Sequence, residues 1–232
     1  MPTHYLDYKE VDIAKGRVLG TSHINKFGYS EDVGASFSTI WDGSNVYTYI
    51  TTAGTATVTS GTPASDDGGT VLVQGLDSSF NPVEETLTIG GAAGAVLFYR
   101  VFRVILLTAN TGDVNVDDIT VTVDTKSAAI IKAGKGQTLM AVYTVPAGKD
   151  AFMLNFHGTA EKNQDYRYDI LSRPNGGVFN IKGEFGTFGG SVQHKYEVPL
   201  LFTAGTDIEI RAKAGTASSG GGATFEMLLV DT

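Results

Sequence analysis

Cysteine is absent from all 232 residues. The chain therefore forms no disulfide and offers no thiolate to a metal, so its fold has to rest on packing and sheet hydrogen bonds. Basic residues are scarce in the first half. Residues 1–126 hold 7 Lys and Arg against 15 Asp and Glu, whereas residues 127–232 hold 10 of each. The formal net charge is −8, and a surface of that sign repels phosphate backbones, so direct nucleic-acid binding is not expected. Long apolar runs are missing too. The longest, "AGAVLFYRVFRVILLTA", is interrupted by Arg100 and Arg103 and falls short of the roughly 20 residues a membrane helix needs. The start, "MPTHYLDYKEVDIAKGRVLG", lacks a basic stretch followed by an apolar block, so a secretory leader is not expected. No stretch carries a capped helical stripe. "YKEVDIAKG" comes nearest and is short.

What the chain does have is glycine, 29 residues of it, with Thr and Val crowded between. Period-two alternation runs through most segments. In "DIEIRAKA" Ile208, Ile210, Ala212 and Ala214 share one face, and Asp207, Glu209, Arg211 and Lys213 share the other. "DITVTV" sets Ile119, Val121 and Val123 inward, and "VQHKYEV" groups Val192, His194, Tyr196 and Val198. These are half-buried antiparallel strands. "SDDGG", "PAGK", "RPNGG" and "TAGTD" supply turn residues between them. Residues 95–107, apolar on both faces, suit a strand buried on both sides or two strands joined by a bend. The expected fold is all-β: two consecutive antiparallel β-sandwich, jelly-roll-like domains with an extended N-terminal arm. The arm takes residues 1–35, the first sandwich 36–126 and the second 127–232. The Gly/Ser stretch "AGTASSGGGA" at 214–223 reads as an exposed flexible loop.

Catalytic patterns fail on geometry. Neither G-x-S-x-G, H-E-x-x-H nor a P-loop occurs. Ser191 and His194 point to opposite faces of a strand, and so do Glu84 and Glu85, which cannot flank one glycosidic bond. "SDDGG" and "DVNVDDI" gather oxygen ligands that calcium uses, but neither follows the calcium-loop pattern, and solvated hairpin turns account for them. No cofactor and no enzyme activity are expected. The only tryptophan lies in "IWDGSNVYTY". Trp41, Tyr47 and Tyr49 would form a sugar platform if exposed and coplanar. The favoured alternative is packing in a core or a subunit contact.

The order of phrases adds a resemblance. "HINKFGYSEDVGASFSTIWDGSNVYTY", "TVLVQGLDSSFNPVEETLTIGG", "YRVFRVILL", "NTGDVNVDDITV", "GQTLMAVYTVPAGKDA" and "EVPLLFTAGTDIEIRAKA" follow one another between about Asn25 and Asp231. This series resembles a family of virion structural proteins from tailed bacteriophages of marine and cyanobacterial type. The resemblance implies a non-enzymatic part of a virus particle, assembled in the host cytoplasm. The expected role is a capsid cement or decoration protein. Its partners would be the major capsid protein and copies of itself, as a homo-oligomer such as a trimer, with no membrane involved. Tyr5, Leu6 and Tyr8 in the arm, with Trp41, Tyr47 and Tyr49, are the candidate interaction residues. The alternative is a tail- or fibre-associated module that binds host-surface glycans.

Overall fold

The computed structural model describes residues 9–215 and 219–232, with the side chains of residues 162 and 163 left aside. Two short helices, α1 (Lys9–Ala14) and α2 (Pro63–Asp66), accompany fifteen strands among the described residues. These are β1 (Thr21–Val33), β2 (Ser38–Thr39), β3 (Gly54–Thr55), β4 (Thr57–Ser60), β5 (Thr70–Leu76), β6 (Pro82–Thr88), β7 (Leu97–Phe98) and β8 (Arg100–Thr108). They continue with β9 (Ile119–Val123), β10 (Lys126–Ile131), β11 (Val142–Thr144), β12 (Lys149–Arg173), β13 (Asn180–Phe202), β14 (Asp207–Ala214) and β15 (Ser219–Asp231). Every pairing is antiparallel, and the chain is all-β.

The strands gather around two apolar cores. The first is enclosed by the sheets β10–β9–β4, β6–β5–β8 and β3–β7. Val58, Val71, Val73, Phe98, Val104, Ile119, Val121 and Ile131 fill it. The expected inward set on "DITVTV" is met: Ile119, Val121 and Val123 are buried and Thr120 and Thr122 are half-buried. The apolar run at 95–107 resolves into two strands, β7 and β8, that meet at Tyr99. The second core lies within a seven-stranded sheet, β1–β15–β12–β14–β11, with β13 on β12 and β2 on β14. Met153, Phe156, Tyr166, Tyr168, Ile170, Ile208, Ile210, Phe225 and Met227 occupy it.

Three expectations need correction. Residues 1–35 were to form an extended arm, but residues 21–33 form β1, paired in register with β15 from Thr21–Val230 to Ser30–Gly221. Its alternation is hard to see because, before Val33, the buried positions carry Lys26, Gly28 and Ser30 rather than aliphatic residues. Gly28 is required there: a Cβ would lie 2.3 Å from the Ile40 carbonyl oxygen and 2.5 Å from the Ala141 nitrogen. The cut expected between residues 126 and 127 falls inside the β9–β10 hairpin. Its turn residues, Asp124 and Thr125, both take positive φ (48° and 60°) without the glycine that signals such a turn. The sheets also ignore that cut, since β1 and β2 belong with β11–β15. Finally, of the loop expected at 214–223, Ala214 ends β14 and residues 219–223 open β15, where they are buried; residues 216–218 lie outside the described ones. Glycine serves close packing there, because a Cβ on Gly221 would lie 2.4 Å from the Tyr166 ring.

Candidate interaction surface

The three aromatic candidates at 41–49 are buried. Trp41 meets Tyr47 edge to face at 5.1 Å, and Tyr47 meets Tyr49 in the same way at 4.9 Å. Each polar end is already used within the chain. The Trp41 indole donates to the Asn45 carbonyl (2.8 Å), the Tyr47 hydroxyl to the Ala128 carbonyl (2.9 Å), and the Tyr49 hydroxyl to Glu209 (3.3 Å). Burial raises the pKa of Tyr47 and, well above the ordinary range, that of Tyr49. A sugar platform is thereby excluded at these residues in this conformation, since a ring must be exposed to stack on a pyranose. Tyr5, Leu6 and Tyr8 lie outside the described residues.

The aromatic ladder ends on a charged seam between the two cores. Asp207, buried, accepts from Arg100 Nε (2.8 Å), Arg100 Nη2 (3.1 Å), Arg173 Nη2 (2.6 Å) and the Thr144 hydroxyl (2.6 Å). Glu209, also buried, accepts from Arg211 Nε (2.7 Å), from Tyr49 and from Thr39. Arg100 lies over the Tyr99 ring at 4.2 Å and Arg173 over Tyr49 at 4.3 Å. The charged face of "DIEIRAKA", expected to meet solvent, is therefore covered where it carries Asp207 and Glu209. Arg100 and Arg173, distant in the chain, compensate Asp207, and Arg211 on the same strand compensates Glu209.

The acidic turns considered for calcium do approach one another. Asp66 accepts from the Ser60 hydroxyl (2.7 Å) and the backbone nitrogens of Val116 (2.8 Å) and Asp117 (3.0 Å), while Asp117 accepts from Thr62 (2.7 Å). Burial works to raise the pKa of Asp66, but these donors hold it below the usual carboxylate value. The oxygens are thus spent on fastening loops to each other. Among the described residues no group of three or more His, Asp or Glu is placed to hold a metal ion.

Asp42, beside Trp41, is a carboxyl group displaced toward neutrality. Burial pushes its pKa up to about 7, against the pull of the Leu139 N–H that it accepts at 2.7 Å. The folded value exceeds the ordinary 3.8, so between pH 4 and 7 the unfolded chain binds fewer protons and this group's share of stability falls as pH rises. Asp42→Asn is expected to remove that loss, adding ~1–3 kcal/mol at pH 8 and little at pH 4. Urea titrations of both proteins at the two pH values check it. An equal effect at both would show that Asp42 does not titrate in this range.

Large apolar side chains are also exposed on the long β12–β13 hairpin. Phe188 is 88% exposed, Val198 81% and Val178 73%, with Ile181 and Leu201 more than half exposed. Val198 was expected to share a buried face with Val192, His194 and Tyr196. Instead the register slips between Met153–Leu200 and Asn155–Lys195, so residues 196–199 bulge away from β12 and Val198 leaves that face.

This hairpin is folded across itself. Its register slips again between Ala160–Gly190 and Asp165–Phe188, where Gly189 and Gly190 take φ of 67° and 85°, values that glycine adopts without strain. The two halves of each strand then lie in facing layers. One layer joins residues 149–160 of β12 to β15, and the other joins residues 166–173 to β14. Phe185 from one half of β13 meets His194 from the other at 5.1 Å, and His194 meets Tyr196 at 4.6 Å. Among the described residues β13 pairs with β12 alone, so both layers end on it.

Comparison with known proteins adds little. No protein-family model matches the chain, and no curated protein matches it. Among solved structures it shows distant likeness to the infectious bursal disease virus Gt strain, at 12% identity and a TM-score of 0.23. That alignment covers 91% of this chain and 73% of the other. For the VP2 subviral particle of the same virus the values are 10%, 0.26, 91% and 72%. At such TM-scores these likenesses establish neither a shared fold nor a shared role.

Proposed function

We propose that this chain is a non-enzymatic structural component of a tailed-bacteriophage virion, a cement or decoration protein that binds the head shell and stabilises it through subunit contacts. Its two cores serve as jelly-roll-like sandwich blocks, and its partners are the major capsid protein and further copies of itself. The observation that carries the reading is the set of exposed large apolar side chains on the β12–β13 hairpin, Val178, Ile181, Phe188, Val198 and Leu201. The sequence resemblance to phage virion proteins supports the same role, and so do the carboxylates near the cores, which are engaged in fastening loops and strands. The glycan-binding alternative loses its support at Trp41, Tyr47 and Tyr49, whose rings are buried.

Location on the particle tests this. Antibody label or assigned density is expected over the head in symmetric clusters, and purified protein is expected to bind heads that lack tails. Signal confined to tails or fibres would overturn the cement role and return the search for a ligand to exposed parts of the chain.

A further inference from the structure

We propose that the open β13 edge is a self-association surface: a second copy of this chain, turned by 180° about an axis parallel to the strands, continues both layers at once. The inference does not rest on the virion role, because self-association is measured on the purified protein alone.

The geometry begins with the fold in β13. Its two halves run in opposite directions in facing layers, and side chains mark which residues are level. A Cβ placed on Gly183 would lie 3.4 Å from the Tyr196 hydroxyl oxygen, and Phe185 is level with His194. Rotation about an axis along the strands carries each layer of one copy into line with the other layer of its mate. Residues 182–188 of one copy then run antiparallel beside residues 191–197 of the other, and the reverse contact forms at the same time. Level residues become cross-strand neighbours: Phe185 with His194, Glu184 with Lys195, Lys182 with Glu197. Inward residues meet inward and outward meet outward, which is the requirement of an antiparallel ladder.

Charge singles out this arrangement. Glu184 and Lys195 both sit on the outer faces, opposite Asp169 and Asn155 of β12 respectively. Within one copy they belong to different layers, but across the dyad they are side by side, and the pairing occurs twice. Glu184 already holds Arg167, whereas none of the ion pairs among the described residues uses Lys182, Lys195 or Glu197. The same operation covers free backbone groups along two edges, the usual hazard of an unpaired strand. A contact of this isologous kind closes on itself as a dimer.

Sedimentation equilibrium of the full chain is expected to show dimers at micromolar concentration. Lys195→Glu sets Glu against Glu184 of the other copy, and Glu184→Lys sets Lys against Lys195. Each variant alone is expected to weaken association at least tenfold, and an equimolar mixture to recover it, because the mixed pair is complementary at both contacts. Thermal melts confirm that both variants fold. Because the chain has no cysteine, a second readout is available that needs no change of charge. Gly186→Cys and Gln193→Cys combined in one chain are expected to oxidise to a covalent dimer, while either alone is not. A wild-type chain that stays monomeric at millimolar concentration overturns the proposal. So does a mixture that fails to recover, or a double-cysteine chain that forms no covalent dimer.

Discussion

Asp207→Ala is expected to cost about 3–5 kcal/mol of folding stability, the range for removing one partner of a buried ion pair. The carboxylate accepts from Arg100, Arg173 and Thr144, and both it and Arg100 are almost wholly enclosed. Alanine leaves the Arg100 guanidinium buried with its charge uncompensated. That charge keeps the Ile50 and Tyr99 carbonyls and the faces of the Tyr99, Tyr49 and Phe80 rings, none of which carries a compensating negative charge. Urea titration followed by Trp41 fluorescence measures the loss. A double variant, Asp207→Ala with Arg100→Met, is expected to lose less than Asp207→Ala alone, because it removes the stranded charge. If the single change cost under ~1 kcal/mol, the seam would have to be open to water in solution. The seam joins elements of the two cores, since Arg100 begins β8 and Asp207 begins β14.

Val121→Asp is expected to be at least as damaging, beyond ~4 kcal/mol, and to leave the chain unfolded or insoluble. Val121 has no exposed surface, and its strand β9 is held between β4 and β10. A carboxylate there is placed in the first apolar core, among side chains that offer it little compensation. Ile208→Asp makes the matching test in the second core, where Ile208 is equally enclosed beside Ile210 and Tyr143. Circular dichroism and the thermal midpoint report both. A variant that kept its midpoint would mean that the strand register at that position differs from the one described.

Alternation is a local property, which is why so much of the secondary structure can be read from the chain. Ile119, Val121 and Val123, or Ile208, Ile210 and Ala212, announce a strand and its inward face to a reader who knows nothing of their partners. Turns that depend on glycine, as at Gly148, Gly176 and Gly205 with their positive φ, are legible for the same reason. Turns made by other residues escape, as Asp124 and Thr125 did. β1 escaped as well, because a strand whose buried positions are Lys, Gly and Ser, with a single valine at its end, has no apolar rhythm to see. Lys26 is the clearest instance. It is buried, donates to the Phe102 carbonyl, and burial with the nearby Arg103 charge lowers its pKa well below the ordinary lysine value.

The candidate surface was the least legible part. Aromatic residues beside a turn drew attention to Trp41, Tyr47 and Tyr49, and those rings are inside. The exposed hairpin carries Phe188 and Val198 in a stretch that alternates like any half-buried strand, and nothing in that rhythm says that the outward face stays bare. The only local hint was "FGGS" at 188–191, where paired glycines allow the hairpin to fold over. Composition and periodicity were enough to establish an all-β, cysteine-free, acidic chain, because strand formation depends on neighbours one or two residues away. The seam, the folded hairpin and the identity of the exposed edge were set by contacts between residues far apart, such as Arg100 and Asp207, separated by 107 positions. Which face of a strand is covered depends on what arrives from elsewhere in the chain, and no local pattern encodes that arrival.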